Sequence, residues 1–487
     1  MLKNIKNTAR HTVIYSLGNL STKLIGFILL PLYTKHITVA EYGVLGILEI
    51  TIMILTHILI LGQPQAYIRF HNSEEYNKKS TLFTLFIFLF SISLLVNVIG
   101  QHCSSILSSY FSKPGEFEIY FKLCFYIIPL QVINNLFLSA LRAREKSIVF
   151  AIGNIIRLGI VLGFNIYFVA FAQLGIKGVL YSYLIGDSLL LLFLLPFIIS
   201  EMIPKFETKI LKAALHFGIP LIFTSLAGML LNMGDRYILK LLVNYHEVGL
   251  YNLGYKVAGV LNMLFIQSFS LSLLPMVYKM YGKPGDKRYY SKMLTYFLFV
   301  LFWAGLGLTL FGKELITLLA LNPDYWSAYQ VVPYIILGYI FSGGNYVVSL
   351  GLYLKMKTNY VAFNTIGAAI LNIVLNFILI PQFKMIGAAI ATIISFMTLY
   401  FITYFVADRY YKIPYENLKL LKMLLVAIFL FVLSTQTLYF DVWLRLLLKA
   451  IILASFPFWL YIINFYEQVE IERLRAGFKK YCNIRIV

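Results

Sequence analysis

Apolar residues are gathered in this chain into long blocks, separated by short polar stretches in which lysine and arginine collect. A block of roughly 20 residues is enough to carry a helix across the hydrocarbon of a bilayer. Blocks of that kind lie near residues 12–34, 42–62, 81–101, 119–140, 148–170 and 176–200 in the first part of the chain. Further blocks follow near 214–238, 248–274, 293–312, 328–350, 359–380, 386–407, 423–440 and 443–466. They predict an all-α integral membrane protein of about 14 transmembrane helices.

The polar stretches set an orientation, because cytoplasmic loops are enriched in lysine and arginine. Alternate stretches are basic, beginning with Lys3, Lys6 and Arg10, then Arg69, Lys78 and Lys79, then Arg142, Arg144 and Lys146. Continued to the end of the chain, the alternation puts 28 cations on one side and 8 on the other, with both termini on the basic, cytoplasmic side. Arg445 and Lys449, at the start of the last block, fit that alternation poorly. Lys3, Lys6 and Arg10 also resemble the start of a signal peptide. The block after them is long, holds Lys23 and shows no small-residue cleavage site, so it reads as a retained first helix.

Residues 141–166 can be laid without gaps on 352–377, which matches Arg144 with Lys355, Lys146 with Lys357 and Asn165 with Asn376. EYGVL at 41–45 echoes EVGLY at 247–251 at a slightly different offset. An even number of helices separates the copies, so the repeat is a parallel one. The expected organisation is two six-helix lobes, 1–200 and 214–407, joined by a cytoplasmic linker at 201–213. Residues 408–487 add two C-terminal helices and a tail. No loop exceeds about 20 residues, too few for a soluble domain, which usually needs roughly 50 or more.

Composition agrees. The 487 residues are 60% hydrophobic and 13% charged, whereas soluble proteins carry about a quarter charged residues. The net charge of +20 is explained by basic loops on one side of a membrane and calls for no nucleic acid. Cys103, Cys124 and Cys482 match no metal or redox spacing, no cofactor is expected, and the absence of a GxxxxGK[ST] loop argues against direct use of ATP.

The remaining signal is charge at membrane depth, which is costly and tends to mark a substrate or ion path. Lys23, Arg157 and Asp187 fall near mid-membrane, and Glu49, Asp235, Arg236 and Lys256 nearer the outer face. The set is biased towards cations and suits an anionic ligand. Glu49, Asp187 and Asp235 are the candidates for coupling to protons or sodium. Structural readings stand beside these. Arg157 with Asp187 makes an ion pair between adjacent helices, and Asp235 and Arg236 fix the fold, although as helix neighbours they are expected not to face the same way. Lys122 snorkels from a helix end, and Asn19, Asn154 and Asn345 serve either sugar hydroxyls or helix packing. Pro220 is either a hinge or a tolerated kink.

Several phrases carry a family resemblance: FGIP at 217–220, GDRYIL at 234–239, EVGLYNLGYK at 247–256, LRAREKSIVFAIGNIIRLGI at 141–160 and AILNIVLNFILIPQFKMIGAAIAT at 369–392. Together they resemble polysaccharide flippases of the Wzx type, in the multidrug/oligolipidyl/polysaccharide exporter superfamily. The resemblance implies a multi-pass protein of the bacterial inner membrane that turns an oligosaccharide on undecaprenyl pyrophosphate from the inner to the outer leaflet by alternating access. A polysaccharide polymerase is the protein partner it suggests. Lys23, Arg157, Arg236 and Lys256 then hold the pyrophosphate or acidic sugars, and only Arg236 and Lys256 lie in phrases that match the family closely. Two rivals are transporters of the same superfamily, a drug antiporter, which would want an acidic cavity, and a peptidoglycan-precursor flippase. A membrane polysaccharide polymerase or glycosyltransferase is the rival from another class, and the short loops argue against it.

Overall fold

A computed structural model describes residues 26–111 and 117–472, and among them it contains helices and no strand. Eleven of these helices are long and apolar enough to cross a membrane. Lys23 and Asn19 lie outside the described residues. The outer surface is as apolar as the core: Phe90, Leu94, Leu95 and Val98 point outward, while Asn165, Asn372, Asn376 and Asp235 are fully buried. Only a hydrocarbon solvent rewards that arrangement, so the apolar outer surface is the lipid-facing one.

The helices follow one another as α1 Leu30–His36, α2 Val39–Ile60, α3 Gln63–His71, α4 Lys78–Phe111, α5 Glu118–Ala143, α6 Ser147–Asn165, α7 Gly175–Ile199 and α8 Thr208–Met233. Then come α9 Asp235–Leu242, α10 Tyr245–Leu261, α11 Gln267–Met280, α12 Asp286–Leu310, α13 Gly312–Leu319, α14 Val332–Val348, α15 Leu350–Leu354, α16 Thr358–Tyr410, α17 Asn417–Thr435 and α18 Val442–Ile462. A capping box starts α2: the Thr38 hydroxyl accepts from the Glu41 N–H at 3.3 Å, and the Glu41 carboxylate accepts from the Thr38 N–H at 2.9 Å. Hydropathy anticipated one interruption of the long helices and not another. The expected spans 359–380 and 386–407 are separated at Lys384, whose φ is positive (50°), within the gap left between them. The expected span 248–274 is α10 and α11 joined by a π-helical segment, Asn262–Ile266.

The chain divides into two compact units. The first runs to Lys256 and includes Ile316–Ala328 and Thr365–Thr392. In it α5 lies against α4, α7 and α2, and α6 lies against α7. Two glycines let α2 and α10 cross closely: a β-carbon on Gly43 would overlap the Tyr245 carbonyl oxygen, and one on Gly249 would overlap the Val39 carbonyl oxygen.

The second unit holds Val257–Leu315, Tyr329–Asn364 and the chain from Ile393 onward. There α12 packs on α14, α17 and α18. It accounts for the two cations that fitted the charge alternation poorly. Lys449 Nζ lies 2.8 Å from both Glu314 carboxylate oxygens, and Arg445 Nε lies 3.0 Å from one of them. Both cations therefore belong to an ion cluster inside the protein, and the loop-charge rule does not govern them.

The sequence repeat is visible in the backbone. Glu145 and Met356, matched by the 141–166 on 352–377 alignment, both have left-handed φ, 57° and 53°. In both turns the N–H one residue later bonds back five residues, Lys146 to the Leu141 carbonyl at 2.9 Å and Lys357 to the Leu352 carbonyl at 2.8 Å. Extending the same alignment pairs Gln173 with Lys384, again both left-handed, at 52° and 50°.

Candidate functional site

Three ion pairs inside the first unit contain six of the seven charged residues singled out in the sequence. They differ in how far solvent reaches them, and that difference separates their roles.

The most closed pair is Asp235 with Arg236, whose side chains are 0% and 3% exposed. Helix α8 ends at Met233 and α9 begins at Asp235, so the carboxylate sits in the first turn of a helix, where it is favoured. Arg236 Nη1 donates to Asp235 at 3.0 Å and to the Asn232 carbonyl at 3.0 Å, and Nε donates to Asn252 at 3.4 Å. The guanidinium also lies 4.1 Å from the centre of the Tyr255 ring. Tyr251 and Thr392 hydroxyls donate to Asp235. This corrects the expectation that Asp235 and Arg236 face apart. A helical side chain leans towards its own N-terminus, and an arginine is long enough to reach back past its neighbour's carboxylate to Asn232.

Arg157 on α6 and Asp187 on α7 form a bidentate pair, with contacts of 2.5 and 3.3 Å and exposures of 15% and 3%. The ion pair between adjacent helices is thus present. Gln131 donates to the Asp187 carboxylate at 3.0 Å and Asn134 to its carbonyl at 2.9 Å. Beside them opens a cavity of about 300 Å³, bordered by Gln131, Asn134, Asn135, Arg142, Asn154 and Arg157. It presents amide and guanidinium donors within a bundle of otherwise apolar helices. Sequence reasoning singled out Asn154 and Arg157 but missed the α5 contribution. Its signal is a polar stripe at helical spacing, Gln131, Asn134, Asn135 and Arg142.

The most open pair is Lys256 on α10 with Glu49 on α2, 3.7 Å apart and 22% and 26% exposed. Tyr183 on α7 donates to the other Glu49 oxygen at 2.7 Å. Lys256 Nζ also lies 5.2 Å from the centre of the Tyr42 ring, and a β-carbon on Gly26 would lie 3.6 Å from it. Arg236 and Lys256 are linked through adjacent residues, since Arg236 stacks on Tyr255. Glu49 with Lys256 was not paired in the sequence reading, and Tyr183 was not anticipated.

Lys122 pairs with Glu118 at 2.6 Å, one turn away on the same helix. The Asn154 amide donates to the Phe150 carbonyl at 2.8 Å, a bond within its own helix that leaves it on the cavity border. The Asn345 side-chain oxygen, in the second unit, is buried without a hydrogen-bond partner.

Comparison with known proteins adds to this geometry. A family model described as polysaccharide biosynthesis protein matches residues 8–281. A probable low-salt glycan biosynthesis flippase of Haloferax volcanii, Agl15, is 24% identical over 289 residues, covering 58% of this chain and 59% of that protein, so the match spans under two thirds of the relative's length. An uncharacterized membrane protein of Methanocaldococcus jannaschii is 23% identical over 461 residues, 88% of each chain. Among solved structures, the lipid II flippase MurJ in an inward closed conformation superposes with a TM-score of 0.75 at 16% identity, covering 93% of this chain and 100% of that one. An inward-facing multidrug resistance transporter of the MATE family gives a TM-score of 0.63 at 13% identity, covering 81% and 94%. The two structural likenesses show that the chain shares the fold of the MurJ and MATE transporters.

Proposed function

The chain belongs to the polysaccharide biosynthesis protein family, and from that membership we propose that it flips an oligosaccharide carried on undecaprenyl pyrophosphate from the inner to the outer leaflet. The observation that carries this reading is the cavity of amides and guanidiniums beside the Arg157–Asp187 pair. Amide and guanidinium donors replace the water that sugar hydroxyls and phosphates lose on leaving solution, and a bidentate guanidinium suits a phosphate. A drug antiporter for cationic compounds would need free acidic groups, whereas Glu49, Asp187 and Asp235 each face a cation.

In this reading Lys256 and Arg157, together with Lys23, contact the anionic head group. Arg236 acts one step back, by holding Tyr255 beside Lys256. Asp187 and Asp235 keep their guanidiniums in place, and Glu49 couples transport to an ion. A proton or sodium ion that takes the place of Lys256 at Glu49 frees the ammonium for the head group. The lobes 1–200 and 214–407 supply the alternating access, with both termini in the cytoplasm of a bacterial inner membrane and a polysaccharide polymerase downstream. The lipid tail stays in the bilayer while the head group crosses.

The test is restoration of surface glycan in cells that lack their own flippase, at matched membrane abundance. Wild type should restore it, and Lys256→Ala and Arg157→Ala should lower it at least about tenfold, as expected for loss of one charge-assisted contact. Variants as active as wild type would remove the cationic contacts from the mechanism. Supplying the defined peptidoglycan precursor in the same cells distinguishes that substrate from a polysaccharide repeat unit.

A further inference from the structure

A second cavity lies in the first unit, on the side that the lysine and arginine count assigns to the cytoplasm. Its volume is about 920 Å³, and it is bordered by the α3–α4 loop, the α5–α6 turn and Glu201, within the range of roughly 300–1,000 Å³ of small-molecule sites. Four cations border it, Lys78, Lys79, Arg144 and Lys146, against the two carboxylates Glu74 and Glu201.

Arg144 is the informative residue. Its side chain is 9% exposed, and Nη2 donates to the Tyr67 hydroxyl at 3.3 Å. Nη1 is buried and makes no hydrogen bond; Glu201 stands off at 3.7 Å, and the same carboxylate lies 4.0 Å from Lys146 Nζ. A buried guanidinium nitrogen without an acceptor is costly, and a ligand oxygen between Arg144 and Lys146 would satisfy it. The start of α4 does not compete, because the Asn77 side chain already accepts from the Lys79 and Ser80 N–H groups at 3.0 and 3.3 Å.

The repeat supplies an internal comparison. Lys355 and Lys357 occupy the same positions in the matching turn, but there they lie over tyrosine rings. Lys355 Nζ is 5.5 Å from the Tyr411 ring centre and 3.4 Å from the Tyr281 hydroxyl, and Lys357 Nζ is 5.6 Å from the Tyr410 ring centre. The same turn thus has its exposed cations set against tyrosines in one copy and lining a cavity in the other.

We propose that this cavity is a separate anion site that takes a diphosphate or phosphomonoester group between Arg144 and Lys146, displacing the Glu201 carboxylate. The group arrives either free in solution or as the head of a phospholipid. Binding is read directly, so the inference does not depend on whether the chain moves a glycan.

The test uses the purified full-length chain in neutral detergent. Inorganic pyrophosphate is titrated by calorimetry, and phosphatidic acid is compared with phosphatidylcholine by native mass spectrometry. At least one phosphate-bearing probe should bind saturably, and the tighter arm identifies the source. The double variant Arg144→Gln with Lys146→Gln should weaken it about tenfold or more, its fold being checked by thermal unfolding. Glu201→Gln, which removes only a competing anion, should tighten binding several-fold. Lys355→Gln with Lys357→Gln should leave it unchanged. Absence of saturable binding in both arms, equal loss in the Lys355/Lys357 variant, or weakening by Glu201→Gln would each overturn the proposal.

Discussion

Gly43 and Gly249 meet the opposing backbone reciprocally where α2 crosses α10. A β-carbon on either residue would collide with a main-chain carbonyl of the other helix, at Tyr245 and Val39. These are the glycines of the EYGVL and EVGLY echo, so the weak sequence match corresponds to a near-symmetric crossing. One turn further along, a β-carbon on Gly46 would run into the Asn252 side chain, at the same offset in the repeat. Small residues let membrane helices approach until their backbones touch. The crossing also fixes the spacing between Glu49 and Lys256, which lie two turns beyond it on the same two helices.

Gly43→Val and Gly249→Val should therefore each destabilise the fold by about 1–3 kcal/mol, as overpacking of a tight contact does, and so lower the midpoint of thermal unfolding in detergent. Gly259→Ala, where an added β-carbon meets nothing within 4 Å, is the control and should leave the midpoint within error. A Gly43 variant that unfolds with the control would mean that the helices can part without cost. The readout is fluorescence-detected size exclusion after heating.

Much of this fold is legible in the sequence because a bilayer imposes one rule, a long apolar helix for each crossing. What sequence did not show is where a helix changes its winding without a polar loop. The π segment Asn262–Ile266 interrupts a run of unchanged hydropathy, whereas the break at Lys384 falls in the gap expected between 380 and 386. The site was legible in its residue types and less so in its pairings. Arg157 and Asp187 lie on consecutive helices, so their pairing followed from topology. Glu49 and Lys256 are brought together by the glycine crossing, and their pairing needed coordinates. Arg236 was misjudged from Cα direction alone, since its reach along the helix outweighs the angle between neighbouring positions.

The Arg157–Asp187 pair separates folding from transport. Asp187→Ala leaves a mostly buried guanidinium without its carboxylate, and breaking a buried pair in this way costs about 3–5 kcal/mol. Its abundance in the membrane should fall sharply. Arg157→Met with Asp187→Leu removes both charges and keeps the volume, so stability should return to within about 1–2 kcal/mol of wild type. If the proposed function holds, that double variant will be well folded and still fail to restore surface glycan. Recovery of both stability and glycan would make the pair purely structural.

Acid should loosen the ends of α12 and α17 in the second unit. Lys292 lies 3.0 Å from Glu416 and 2.6 Å from Glu467, Lys419 lies 2.9 Å from Glu416, and Thr295 donates to Glu416 at 2.8 Å. Partial burial pushes the Glu416 carboxyl up, but hydrogen bonds from Lys419, Lys292 and Thr295 outweigh it and hold it down at about 2, from an ordinary 4.5. Glu467 is also lowered, chiefly by its hydrogen bond from Lys292. A carboxyl whose folded value is depressed adds stability above its unfolded value and loses that contribution as the pH falls towards the folded one. The contribution of Glu416 is thus complete at neutral pH and disappears progressively between about 4.5 and about 2. The protection of amides 412–420 and 463–470 against hydrogen exchange, relative to unstructured peptide at the same pH, should therefore fall between pH 5 and pH 3. In Glu416→Gln protection at pH 5 should already be low and its further fall on acidification smaller. An unchanged acid response in that variant would place the titrating group elsewhere in the cluster.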